Sequence, residues 1–84
     1  MLSKQEIESE LSRYLQEMFD IPAAKILPEA RLSEDLDLDS IDAIDLMVKL
    51  QELTGLKIAA ADFKSVRTVG DVVEKVYVQL AKRT

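Results

Sequence analysis

The sequence predicts an all-α fold: a four-helix bundle of three main helices plus one short helix, with a long ordered loop between the first two main helices. Three observations lead there. Apolar residues recur at three-to-four spacing in three separate stretches. Each of those stretches opens on a residue suited to capping a helix. Between the first and second lies a segment with no convincing period.

The first helix opens at Ser3, whose hydroxyl can cap, with Glu6 three residues on as the reciprocal partner. Ile7, Leu11, Tyr14, Leu15 and Met18 follow as one narrow apolar stripe, and Asp20-Ile21-Pro22 ends it. From Pro22 to Leu38 the chain reads as an irregular connection of about 17 residues, long enough to suggest a function. Ile26, Leu27, Leu32, Leu36 and Leu38 are expected to pin that loop to the core. The second helix starts at Asp39 or Ser40 and runs to about Thr54, where Gly55 can close it. Residues 59–64 are expected to add one short helical turn near Ile58 and Phe63. Thr68 and Asp71 repeat the capping pattern ahead of Val69, Val72, Val73, Val76, Tyr77 and Leu80. Valine favours strands, but the three-to-four spacing decides for helix.

Eighty-four residues make one domain, 1–84, with one modest core. Cysteine and histidine are both absent. That excludes disulfides, thiol nucleophiles and the usual base of serine hydrolases, so the chain is not expected to be an enzyme. No apolar run approaches the roughly 20 residues that span a bilayer. The first residues do not read as a secretory signal. A cytoplasmic, monomeric protein without membrane insertion is the expectation.

The net charge is −5, and its placement matters more than its size. Glu29, Glu34, Asp35, Asp37, Asp39, Asp42 and Asp45 face Arg31 alone, so this segment carries −6 and the rest of the chain about +1. Such a patch repels nucleic acid and attracts a basic protein surface. Calcium binding by the alternating aspartates fails, because an EF-hand counted from Asp35 puts Ser40 and Leu46 where glycine and a bidentate glutamate are needed. Ser40 as a catalytic nucleophile fails too, lacking both a histidine and a G-x-S-x-G elbow.

On the second helix, Asp42, Asp45, Lys49 and Glu52 gather into a polar wedge roughly 80° wide, and nearly everything else is apolar. Ile41, Asp45, Val48 and Glu52 share a strip about 60° wide, two apolar groups alternating with two carboxylates. A basic groove could neutralise the acids while burying Ile41 and Val48. The competing reading is an ordinary solvated face with two hydrophobes at its border.

The stretch Leu36-Asp37-Leu38-Asp39-Ser40-Ile41-Asp42, followed by an acidic and apolar helix, resembles the modification site of acyl carrier proteins. The family's hallmark is Asp-Ser-Leu at the start of the second helix of a four-helix bundle. Helix order, the long first loop, Ile58 and Thr68-Val69 extend the resemblance to essentially the whole chain. It implies that Ser40 receives 4′-phosphopantetheine from coenzyme A through a phosphopantetheinyl transferase, and that Asp39 helps that enzyme and its magnesium engage. It also implies that Ile41, Asp42, Asp45, Val48 and Glu52 dock partners such as a ketosynthase, an acyltransferase or an acyl-ligase, for fatty acid or polyketide-type biosynthesis. Ile44, Met47, Leu50 and Ile58 are expected to line a cleft for an apolar cargo chain. Isoleucine in place of the usual leucine, and Asp37-Leu38 in place of the usual Gly-Ala, depart from the pattern. Together with Lys49 and Gln51 they suggest a specialised carrier for a polyketide-like or aryl-polyene-like pathway. An aminoacyl, peptidyl or D-alanyl carrier is the alternative, and an unmodified helical interaction module the second.

Overall fold

The computed structural model describes residues 2–57 and 65–83. Their elements run α1 (Lys4–Phe19), a single turn of 3-10 helix (Ala23–Lys25), α2 (Ser40–Thr54) and α3 (Val69–Arg83). The fold is all-α as expected; among the described residues the only extended pairing is one antiparallel bridge between Arg31 and Thr68. The short helix expected over 59–64 lies outside the described residues. The short helical piece within them is the 3-10 turn, which sits in the loop between α1 and α2.

Every helix begins as its sequence prescribes. The Ser3 hydroxyl accepts from the Glu6 amide at 3.1 Å, and the Glu6 carboxylate accepts from the Ser3 amide at 3.1 Å. Asp20 closes α1 in the left-handed conformation, and Gly55 closes α2 the same way at φ 72°. Thr68 and Asp71 form another reciprocal pair, each bond 3.1 Å long.

The core gathers Ile7, Leu11 and Leu15 from α1, Leu46 and Leu50 from α2, and Val69, Val72, Val73, Val76 and Leu80 from α3. The loop adds Ile21, Ala30, Leu36 and Leu38. Of its expected anchors, Ile26 and Leu32 are only partly buried, and Leu27 stands 48% exposed. Leu27 instead serves through its backbone, its carbonyl accepting from the Ala30 amide at 2.9 Å in a tight turn that turns the side chain out.

That loop is tied to the start of α3. The first amides of a helix have no partner within it, and here the loop supplies them. Val69 donates to the Ala30 carbonyl at 3.0 Å and Gly70 to the Pro28 carbonyl at 2.8 Å. In return Leu32 donates to the Arg67 carbonyl at 2.8 Å. Gly70 favours this approach, since a Cβ there would stand 3.0 Å from the Pro28 carbonyl oxygen and force it to give way.

Candidate phosphopantetheine attachment site

Two turns of backbone set Ser40 in place. Between Arg31 and Leu38 the loop folds on itself: Asp35 and Leu36 donate to the Arg31 carbonyl, and Leu38 donates to the Leu32 carbonyl at 3.0 Å. The Asp35 carboxylate accepts from the Arg31 amide at 2.7 Å and from its guanidinium at 3.3 Å. The bond from the Arg31 amide foremost, and then that from its guanidinium, hold the Asp35 carboxyl below its ordinary range, and the side-chain bond to Asp35 with the charge of Glu34 raises the Arg31 guanidinium above its own. Asp37 then takes φ 57°, a left-handed conformation that favours glycine. The reversal leaves Leu36 and Leu38 buried on either side and delivers Asp39 to the head of α2.

Asp39 is the cap. Its Oδ1 accepts from the Asp42 amide at 2.9 Å, and Asp42 Oδ2 accepts from the Asp39 amide at 3.2 Å. Ser40 is thereby released from capping: it is the first residue of α2, exposed, and its hydroxyl enters no hydrogen bond among the described residues. A primary hydroxyl so placed is open to esterification by a phosphate, and the amides of a helix start favour an anion beside it. The site therefore fits a phosphodiester-linked group on Ser40.

Along α2, the outward face carries Ile41, Ile44 and Val48, exposed by 68%, 52% and 45%. Asp45 and Glu52 are exposed beside them, and Glu52 meets Lys49 at 3.5 Å. Ile41, Asp45, Val48 and Glu52 thus share one surface, as their spacing predicts. Asp42 is half-buried, with one oxygen committed to the cap.

Behind Ser40 opens a cleft of about 350 Å³, bounded by the loop, the first turns of α2, and Val66 and Arg67 ahead of α3. Arg31, Leu32, Leu38, Ala43 and Leu46 line its other sides.

The chain matches the family described as "Phosphopantetheine attachment site" over residues 9–76. It is 52% identical over 80 residues to "Acyl carrier protein 2" of Ralstonia nicotianae, covering 95% of this chain and 99% of that one. The chain belongs to the acyl carrier protein family. Acyl carrier proteins of Acidothermus cellulolyticus (36% identity, 87% of either chain) and the "Meromycolate extension acyl carrier protein" of Mycolicibacterium aurum (37%, 84% and 73%) are further relatives. The fold matches that of the acyl carrier protein from Enterococcus faecalis with a TM-score of 0.78 at 23% identity, over 93% of this chain and 99% of that one. As an acyl carrier protein, the chain has no catalytic activity of its own and bears a covalent 4′-phosphopantetheine group. Proteins of this family are modified by a phosphopantetheinyl transferase and work with biosynthetic enzymes.

Within this acyl carrier protein, the three described residues of the four expected to line an acyl cleft do not come together. Leu50 is sealed in the core at 0% exposure and Met47 packs against that core. Ile44 is turned outward, and Ile58 lies outside the described residues. The reason is angular: Leu46 and Leu50 take the inward side of α2, which leaves Ile44 on the opposite side with Ile41 and Val48. That placement was open to sequence reasoning, because Ile44 is three residues from Ile41 and four from Val48. The cleft beside Ser40 was not: it is made by a loop, and nothing periodic announces Arg67 as its wall.

Proposed function

We propose that this chain carries acyl groups as thioesters for a fatty acid or polyketide-type pathway, with Ser40 as its attachment point. The observation that carries this reading is the exposed Ser40 hydroxyl, left out of the cap that Asp39 and Asp42 complete, at the edge of an uncovered apolar and acidic face. In loading, the Ser40 oxygen bonds to the phosphorus of the phosphopantetheine portion of coenzyme A. The pyrophosphate bond breaks, adenosine bisphosphate leaves, and the hydroxyl proton passes to the transferase or to water. The group supplies the thiol that bears the cargo.

Asp39 is the residue the transferase and its magnesium engage, and its cap fixes Ser40 for them. Ile41, Ile44, Asp45, Val48 and Glu52 form the docking face for basic partners such as a ketosynthase or an acyltransferase. The carboxylates speed encounter, and the three hydrophobes are buried on contact. None of the described helices is long and apolar enough to cross a membrane, and we place the protein in the cytoplasm as a single-domain monomer. Family membership speaks against the unmodified interaction module, and relatives named as acyl carriers favour acyl over aminoacyl cargo.

Loading tests the reading directly. Incubation with coenzyme A, magnesium and a broad-specificity phosphopantetheinyl transferase is expected to add about 340 Da to the intact protein. Ser40→Ala is expected to fold and gain nothing; a mass gain in that variant overturns the assignment. In the same assay, reversing Asp45 and Glu52 to lysine is expected to slow loading about tenfold at low salt and flatten its salt dependence.

A further inference from the structure

Charge divides the outward face of α2 into two unlike halves. The seven carboxylates of residues 29–45 end at Asp45. Beyond it α2 carries two ionisable groups, Lys49 and Glu52, and Lys49 is the only cation of the helix. Asp45 is exposed and enters no hydrogen bond or ion pair among the described residues. Lys49 does: its Nζ stands 3.5 Å from Glu52, and the two side chains are 47% and 64% exposed. The half nearer Ser40 is therefore openly acidic, and the far half is charge-balanced.

Helix stability gives little account of this pair. An ion pair so exposed contributes little. Its order, cation before acid, runs against the helix dipole, and the last turn of α2 holds no basic residue, where the dipole favours one. Spacing makes the pair visible to a partner on its own. Lys49 lies about 6 Å beyond Asp45 along the axis, and Glu52 about 15 Å beyond Asp42. At physiological ionic strength exposed charges act over roughly 8 Å, so a partner seated on the face meets the two halves separately.

We infer that Lys49 determines which partner the face accepts: an enzyme whose groove sets a basic group against Asp45, apolar contacts against Ile41, Ile44 and Val48, and a carboxylate against Lys49. The inference rests on the docking role proposed for α2 and specifies the charge pattern of its partner. A groove basic along its whole length meets like charge at Lys49 and finds Glu52 already paired. A carboxylate in the groove takes Lys49 over from Glu52 and leaves Glu52 to water. Specificity then comes from a repulsive element set beside the attractive ones. Because the charges are exposed, the effect falls on capture of the carrier rather than on chemistry after binding.

The test uses the full chain, loaded at Ser40 to completion by intact mass and bearing a short acyl group. The probe is a fatty acid ketosynthase with a wholly basic carrier groove, and the measurement is acyl transfer from the arm to the enzyme's thiol. Lys49→Glu is expected to raise kcat/KM about fivefold at low salt, and Lys49→Met about twofold, both through KM with kcat unchanged. The gain is expected to shrink as salt rises. Replacing each groove lysine or arginine in turn by glutamate is expected to yield an enzyme that prefers the wild-type carrier to Lys49→Glu. A purely structural Lys49 predicts no gain in either variant and no reversal; helical circular dichroism checks that both fold. If Asp45→Lys slows transfer while Lys49→Glu leaves it unchanged or slower, or if no groove variant reverses the preference, this inference alone is overturned. If Asp45→Lys also leaves transfer unchanged, the docking reading fails and takes this inference with it.

Discussion

α1 and α2 are nearly equal in length and oppositely used. α1 carries fewer apolar residues and buries the key three, Ile7, Leu11 and Leu15, to 0% exposure. α2 carries more, yet only Leu46 and Leu50 are buried, while Ile41, Ile44 and Val48 stand between 45% and 68% exposed. The amount of apolar surface on a helix therefore says little about how it packs; its distribution around the axis does. On α1 the stripe is narrow and matches what α2 and α3 can cover. On α2 the apolar residues wrap most of the helix, and the bundle covers one side. This uncovered apolar face is what the proposed docking role draws on.

The sharpest way to break this comparison is to truncate one residue from each helix. Leu11→Ala opens a cavity in the core and is expected to cost about 2–5 kcal/mol, enough to unfold much of a domain this size. Ile41→Ala and Val48→Ala remove side chains that already face water and are expected to stay within about 0.5 kcal/mol of the parent. Urea denaturation of the three variants measures both. A cost above about 2 kcal/mol for Ile41→Ala would mean that the outer face of α2 is part of the core after all.

The helices were legible because caps and period agree. Ser3 with Glu6, Thr68 with Asp71, and Gly55 each do what their residue types announce. Ser40 was legible as a candidate site, but only in its setting, since an Asp-Ser pair at a helix start reads equally as a cap. The structure gives the cap to Asp39 and leaves Ser40 exposed. The loop was less legible. Leu27 and Leu36 look alike in sequence, yet only Leu36 is buried, and the difference is set by backbone turns that leave no period. Asp37 was noted only as a departure from glycine; its left-handed φ supplies the physical reason glycine suits that place.

Gly70 sharpens the comparison at the third helix. Within a helix, replacing glycine by alanine ordinarily stabilises by about 1 kcal/mol. At the first turn of α3 the added methyl would press on the Pro28 carbonyl oxygen, which is also the acceptor of the Gly70 amide. The loop can yield only by weakening its neighbouring bonds to Val69 and Arg67. Gly70→Ala is therefore expected to destabilise by about 1 kcal/mol, opposite in sign to propensity. A rise in the thermal midpoint would show that the loop is not fastened there.

Acid offers the gentlest test, because it separates this joint from the rest of the bundle. Backbone amides of Arg67 and Thr68 hold the Asp71 carboxyl below its ordinary range, as the Arg31 amide does for Asp35. Both carboxylates fasten the backbone on either side of the Arg31–Thr68 bridge. A carboxyl whose folded pKa is depressed contributes stability that is complete above its unfolded value, about 3.9 for aspartate, and lost as pH falls through the folded value. Acidification from about pH 5 downward should thus loosen the joint between loop and α3 first. Glu6, lowered through its bonds to Ser3, follows the same sign at the tip of α1 without touching the joint. Protection of the Leu32, Val69 and Gly70 amides, taken relative to the intrinsic exchange rate at each pH, is expected to fall on acidification before that of Leu11 and Leu15. Asp71→Asn should bring this loosening to neutral pH and flatten its dependence on acid. If Leu11 and Leu32 lose protection together, the joint does not open apart from the core, and the cleft beside Ser40 shares the rigidity of α1.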